Sequence, residues 1–371
     1  MKKRALLSLV TAGVMVTGLA ACSTGSGTEG GGEGGLIGIA MPTKSSERWI
    51  ADGDALKATL EEQGYKVDLQ YAEDDIPTQV SQIENMITKG AEALIIASID
   101  GTTLTNILAD AGEAGIPIIA YDRLLMDTDN VDYYATFDNF LVGKQQAWSL
   151  LNGLGLTDLE GKALDGAPEG PFNIEMFAGS LDDNNAFFFF NGAQEVLKPF
   201  IDEGTIVVKS GQVKIEQAAT ERWNGEVAQS RMEDLLTANY SGGDTIQGVL
   251  SPYDGISRGI ISALSDGDYE VGKNWPIITG QDAEIDSVRA INTGEQFATI
   301  FKDTRELAKV AGDMAIAALK GDTVETNDDS TYNNNKKDVP SYLLQPVIVV
   351  KDNIKKELID TGYWTEKEVN G

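Results

Sequence analysis

The 371-residue chain contains no histidine, a single cysteine (Cys22), and half as many Lys and Arg (29) as Asp and Glu (58), for a net charge of −29. Each shortage excludes a class of chemistry. Without His there is no Ser-His-Asp triad, no His-bearing zinc site, and the commonest general base is missing. One Cys makes no intramolecular disulfide, CxxC redox pair or zinc ribbon. So acidic a chain lacks the clustered cations that a nucleic-acid backbone demands, so nucleic acid is not expected as a partner. Aromatics are few, at 7%, but hydrophobic residues reach 42%. A chain of this composition buries a core, and its length suggests about two domains.

The N-terminus reads as an address. Lys2-Lys3-Arg4 precede an apolar run from Ala5 to Ala21. Thr11, Gly13, Thr17 and Gly18 interrupt it, and it is shorter than the ~20 residues of a spanning helix, so it has the form of an export signal. Leu19-Ala20-Ala21-Cys22 resembles a bacterial lipobox. Residues 1–21 are therefore expected to be a signal peptide, and Cys22 the lipidated N-terminus of the mature protein. Residues 22–35, nearly all Gly, Ser, Thr and Glu, read as a flexible tether that packs no core. The expectation is an extracytoplasmic lipoprotein, anchored to the outer face of the cell membrane.

From Leu36 short apolar runs alternate with amphipathic segments. LIGIAM (36–41), YKVDLQYA (65–72), ALIIASI (93–99) and IPIIAY (116–121) read as strands, with helices near 47–63, 78–90 and 102–115 between them. Gly64, Gly90 and Gly115 stand where helices stop. The pattern restarts with strands at 172–179, 205–211, 246–250 and 276–280, and helices near 186–200, 224–239, 256–265 and 284–293. A helix at 304–320 and a last strand, LLQPVIVV (343–350), follow. Strand–helix alternation with apolar strands predicts an α/β fold of two doubly wound parallel-sheet lobes. The polar stretch 321–338 reads as an exposed loop. Its Asp/Asn spacing lacks the Gly and Glu positions of an EF-hand.

Ligands of open parallel sheets bind beyond the carboxyl ends of the strands. There this chain places Arg48 and Trp49, Asp100, Asp122 and Arg123, Asp183 and Asn185, Tyr253 and Asp254, Gln281 and Asp282, and Lys302. Asp and Asn also stand at such places as plain helix caps. Capping fails for Arg123 and Lys302, since a cation at a helix N-terminus opposes the macrodipole. A ring of bidentate side chains suits a ligand with many hydroxyls, each both donor and acceptor. Trp49 and Trp223 offer apolar faces for a sugar ring, with core packing as the alternative. An anion site wants more Arg and Lys and fewer Asp, and a peptide site wants a longer apolar groove. The chemistry points to a neutral monosaccharide.

SERWIADGD, QVSQIENMITKGAEALIIASIDG, IIAYDR, YYATFDN, FAGSLDDNNA and TGQDAE resemble the xylose-binding and multiple-monosaccharide-binding periplasmic proteins, the solute receptors of ABC sugar importers. The likeness runs from about Leu36 to Val350. It implies a type I periplasmic binding protein with three hinge crossings, near 133–137, 298–301 and 343–345. The lobes would be 36–134 with 302–344, and 135–301 with 345–371. It implies ligand contacts from Arg48, Trp49, Asp100, Asp122, Arg123, Asp183, Asn185, Asp282 and Lys302, with Trp223 near the family's second-lobe Trp. Where relatives often show Asn-Asp this chain has Tyr253-Asp254, which leaves open the hydroxyl read there. The implied partners are a monosaccharide of xylose, glucose, galactose or arabinose type, and an ABC permease with its ATPase. No catalytic residue, cofactor or metal is expected, and a monomer is. A sensor feeding a chemoreceptor or kinase is the alternative. A glycosidase and a helix-turn-helix repressor fit less well, for want of a locally fixed carboxylate pair and of a basic DNA-binding segment.

Overall fold

The computed structural model describes residues 34–371. The expected signal peptide, Cys22 and nearly all of the tether lie outside the described residues. In the first half, β1 (Leu36–Met41), α1 (Glu47–Glu62), β2 (Lys66–Tyr71), α2 (Ile76–Thr88), β3 (Ala91–Ile96), α3 (Thr105–Glu113), β4 (Ile118–Tyr121) and β5 (Tyr133–Phe137) follow one another. The second half runs α4 (Asn139–Gly153), β6 (Phe172–Met176), α5 (Asn184–Asp202), β7 (Ile206–Val208), α6 (Ile215–Ala218), α7 (Gly225–Leu235), β8 (Gly248–Leu250), α8 (Asp254–Asp266), β9 (Ile277–Ile278), α9 (Ile285–Thr293) and β10 (Ala298–Phe301). Then come α10 (Thr304–Lys320), β11 (Ser341–Leu344), β12 (Val347–Val350) and α11 (Glu366–Asn370).

The first sheet is parallel, in the order β2-β1-β3-β4-β5-β11. Its central strands β1, β3 and β4 are almost wholly apolar because both faces are covered, whereas the edge strand β2, KVDLQY, alternates polar and apolar residues. Trp49, Leu56 and Leu60 of α1 and Leu307, Ala311 and Met314 of α10 pack on one face. Ile83 and Met86 of α2 and Leu108 and Ala111 of α3 pack on the other. The second sheet, β7-β6-β8-β9, is also parallel. It is covered by α4 and α5 on one face and by α7 and α8 on the other. β10 and β12 form an antiparallel pair beside it, and a parallel bridge from Gln281 to Ile300 joins them to the end of β9. The chain thus crosses between the two layers three times, after β5, after β10 and after β11. Gly64, Gly90 and Gly115 end their helices at φ +88°, +84° and +70°, which a side chain would strain.

Three expectations are corrected. LLQPVIVV is not one strand: the chain breaks at Gln345-Pro346, β11 joins the first sheet and β12 pairs with β10. Helix α4 was not foreseen. Its apolar residues face both α5 and the second sheet, so it carries only a weak amphipathic stripe. The 321–338 stretch is not simply exposed. Tyr332 and Asn334 are buried, and the Asn334 amide donates to the carbonyls of Leu125 and Thr128.

Candidate ligand-binding site

The carboxyl ends of the two sheets face a shared cavity of about 490 Å³. Of the twelve residues expected to contact ligand, ten line it: Arg48, Trp49, Asp122, Arg123, Asp183, Asn185, Trp223, Tyr253, Asp282 and Lys302. Asp100 and Asp254 do not. The Asp100 carboxylate turns back on its own loop and accepts from the Thr102 N–H (2.8 Å) and hydroxyl (2.7 Å), a local turn of the kind short Asp side chains favour. Asp254 lies fully buried behind the wall, where it accepts from the Gln296 amide (2.8 Å), the Glu284 N–H (3.0 Å) and the Thr299 hydroxyl (3.1 Å). Burial and the neighbouring Glu284 push its carboxyl up to about 8, against the pull of the Gln296 amide.

The centre of the wall is Arg48, one residue into α1. Its guanidinium meets Asp52 one turn on (2.9 Å), Asp122 after β4 (2.5 Å) and Asp282 after β9 (3.6 Å). Burial opposes its charge, but these three carboxylates hold it on. Lys302, 1% exposed, lies 3.1 Å from Asp282 and 3.6 Å from Asp122. Burial also works against the Asp122 charge, yet Arg48, Lys302 and Arg123 bring that carboxyl down to about 2. Asp52, hydrogen-bonded by the Tyr121 hydroxyl, goes the other way. Burial outweighs Arg48 and raises it to about 6.

Asp122 has a left-handed backbone, φ +57°, a conformation that costs a non-glycine residue about 1–3 kcal/mol. Its carbonyl is pinned by three groups: the Tyr134 hydroxyl (2.5 Å), the Asn185 amide (2.6 Å) and the Thr136 hydroxyl (3.1 Å). Asn185 comes from α5, so this clamp joins the two walls. Asp183 serves twice. One oxygen caps α5 through the Asn185 N–H (2.9 Å), and the other lies 3.1 Å from Arg123 Nε. Capping and a place in the cavity are not alternatives for this residue.

The two tryptophans differ. Trp49 is packed in the core of the first layer, with the Arg48 and Arg123 guanidinia 4.8 and 5.1 Å from its ring centroid. Trp223 follows Arg222 in a pair of left-handed residues, φ +53° and +57°. Its ring stands edge-on to Phe189 and Tyr253, each 6.2 Å away, and occupies the space that Gly179 leaves by lacking a side chain. Its buried indole N–H has no hydrogen-bond partner among the described residues.

Gln281, placed at a strand end by the sequence, lines the cavity too, and so do residues that were not singled out, among them Ser46, Asp74, Phe189, Arg222 and Arg258. One signal for Arg222 was in plain view. The tripeptide Glu-Arg-Trp occurs twice, at 47–49 and 221–223, and both copies reach the cavity from opposite walls. Each of the five lining cations is matched by a carboxylate: Arg48 by Asp122, Arg123 by Asp183, Arg222 by Asp182, Arg258 by Glu284 and Lys302 by Asp282. The cavity is densely charged, yet among the described residues it holds no unmatched cation with which to seize an anion.

Residues 37–323 match the family model described as a periplasmic binding protein domain, and the chain belongs to that family, with the doubly wound fold of its type I members. It is similar to the multiple sugar-binding periplasmic receptor ChvE of Rhizobium radiobacter, 56% identical over 331 residues that cover 89% of this chain and 91% of the relative. It is 38% identical to the D-xylose-binding periplasmic protein of Escherichia coli K12, over 90% of this chain and 92% of the relative. A solved ABC transporter solute binding protein of Clostridium phytofermentans, with bound beta-D-glucose, superposes with a TM-score of 0.84 at 46% identity. That match covers 90% of this chain and 99% of the other.

Proposed function

We propose that the protein is an extracytoplasmic, lipid-anchored receptor that binds a neutral monosaccharide between two lobes and delivers it to an ABC permease. The observation that carries this reading is the charge-matched cavity. Its cations are all paired, so the site offers fixed, oriented donors and acceptors without net attraction for an ion. Such a surface suits a polyhydroxylated ring, and leaving any of its groups unpaired penalises a ligand that lacks a hydroxyl. Trp223 supplies an apolar face. The relatives' names, a multiple sugar-binding receptor and a D-xylose-binding protein, and the glucose held by the Clostridium protein support the same class. Pentoses and hexoses of xylose, glucose, galactose and arabinose type are the candidates.

The lobes are 36–134 with 302–344, and 135–301 with 345–371, joined at the three crossings. Cys22 carries the lipid and residues 22–35 the tether. The ten lining residues named above are the ligand contacts, and the protein performs no catalysis. A ligand that touches both walls favours closure over opening by differential contact, and the closed form is what the permease receives. The test is thermal unfolding of the purified protein against a panel of monosaccharides, with calorimetric titration of each hit. A ligand that binds only the folded state raises the midpoint. A rise with one or a few pentoses or hexoses supports the receptor, and no rise with any of them overturns it.

A further inference from the structure

Three helix N-termini meet at one rim of the cavity, and none of their capping side chains caps its own helix. Ser46 precedes α1, Tyr253 precedes α8 and Glu284 precedes α9, each without a side-chain bond to its own first turn. They bond one another instead. The Ser46 hydroxyl lies 2.9 Å from Glu284 Oε1, and the Tyr253 hydroxyl lies 2.7 Å from that oxygen and 2.9 Å from Ser46. Arg258 holds the second Glu284 oxygen at 2.5 Å. Beside them Glu47 Oε2 accepts from the Ile285 N–H at 3.0 Å, so a side chain of α1 caps α9.

Ser46 and Glu47 belong to the first layer, and Tyr253, Arg258, Glu284 and Ile285 to the second. The bonds between the layers join residues 238 and 207 positions apart. They need no ligand atom. The geometry points to a closure clasp: Ser46, Glu47, Tyr253 and Glu284 hold the two walls together directly, so that part of the affinity for sugar comes from protein–protein bonds made only when the lobes are shut. This rests on the receptor reading above. It also assigns Tyr253 a use that the expected contact list did not. Its hydroxyl is engaged by Ser46 and Glu284, and the ring is what faces the cavity. Glu47 and Glu284 lie outside the lining and act as positioning residues.

A clasp has a signature that a sugar contact lacks. Its bonds are the same whichever ring is enclosed, so weakening it lowers affinity for every ligand by one common factor. A lost contact changes the ratio between sugars. Glu47 is the residue to vary, because it is half-buried and does not line the cavity. Stopped-flow kinetics with two monosaccharides are expected to show that Glu47→Ala raises koff about tenfold for both, the equivalent of about 1.4 kcal/mol. The association rate should stay within about twofold, because affinity changes fall mostly on dissociation. Glu47→Gln, whose amide oxygen still accepts from Ile285, should restore koff. An unchanged koff, or factors that differ between the two sugars, overturns the clasp while leaving the receptor intact. Should the wild-type protein bind no monosaccharide, the receptor reading fails, and small-angle scattering of the ligand-free protein decides the clasp. Glu47→Ala must then be more expanded than wild type, and equal radii of gyration overturn it.

Discussion

Asp122 and Asp254 begin alike. Each closely follows a strand of a parallel sheet, and each is buried, at 3% and 0% exposure. Their environments then part. Asp122 lies within 2.5 Å of Arg48 and 3.6 Å of Lys302 and stays ionised, its carboxyl drawn down to about 2. Asp254 meets an amide, a backbone N–H and a hydroxyl, with Glu284 beside it, and its carboxyl rises to about 8. One forms the wall of the cavity. The other braces the wall from behind, tying the start of α8 to Gln296, Thr299 and the backbone ahead of α9. What separates a carboxylate that lines the cavity from one that braces its wall is the partner the fold delivers, and neither position nor residue type reveals it.

The largest effect should come from breaking the paired side. Asp122→Asn leaves Arg48 and Lys302 short of a buried counter-charge, and removing one member of such a set costs about 3 kcal/mol or more. Chemical denaturation should show that loss, and titration should show sugar affinity down by about 100-fold. Next comes Trp223→Ala, which takes away the apolar face without touching a charge. A buried aromatic anchor of this kind carries about 2 kcal/mol of binding, so calorimetry should read a loss of about 30-fold.

The structural side should respond to pH instead. Asp254, at about 8, and Asp52, at about 6, hold their protons more tightly when folded than an unfolded carboxyl does, at about 4. Their stabilisation is complete below about pH 4 and is lost as pH rises through the folded values, so unfolding free energy should fall between pH 5 and 8. Asp254→Asn should flatten most of that slope in denaturant melts at several pH values, with sugar affinity within about threefold of wild type. The smallest effect belongs to Asp100→Ala, which loses only a local turn. Stability should drop by about 0.5–1 kcal/mol, and affinity should hold within about twofold.

Much of the fold was legible because buried parallel strands are apolar along their whole length and their helices stop at glycine. β1, β3, β4 and the glycines at 64, 90 and 115 follow from that, while the edge strand β2, KVDLQY, alternates polar and apolar residues instead. The division of 341–350 between two sheets was not legible, since Pro346 announces a break but not where each half pairs. Lys302 stood out in the sequence because a cation beside a helix N-terminus needs a reason, and it does precede α10. For Arg123 that premise is corrected, since β4 leads through a loop into β5 with no helix between. The structure pairs Arg123 with Asp183 and Lys302 with Asp282. The clasp could not be read, since Ser46, Tyr253 and Glu284 look like ordinary caps until three distant helices converge. Nor could the roles of Asp122 and Asp254 be told apart, because the Arg48 that distinguishes them lies 74 residues from Asp122.

The measurement that tests the account most directly is calorimetric titration of wild type, Asp122→Asn and Asp254→Asn with the same monosaccharide, D-glucose or D-xylose, at one pH. The account predicts tight binding by wild type, a loss of about 100-fold for Asp122→Asn, and a change within about threefold for Asp254→Asn. Equal losses in both variants, or an Asp122→Asn protein that binds as tightly as wild type, would contradict it.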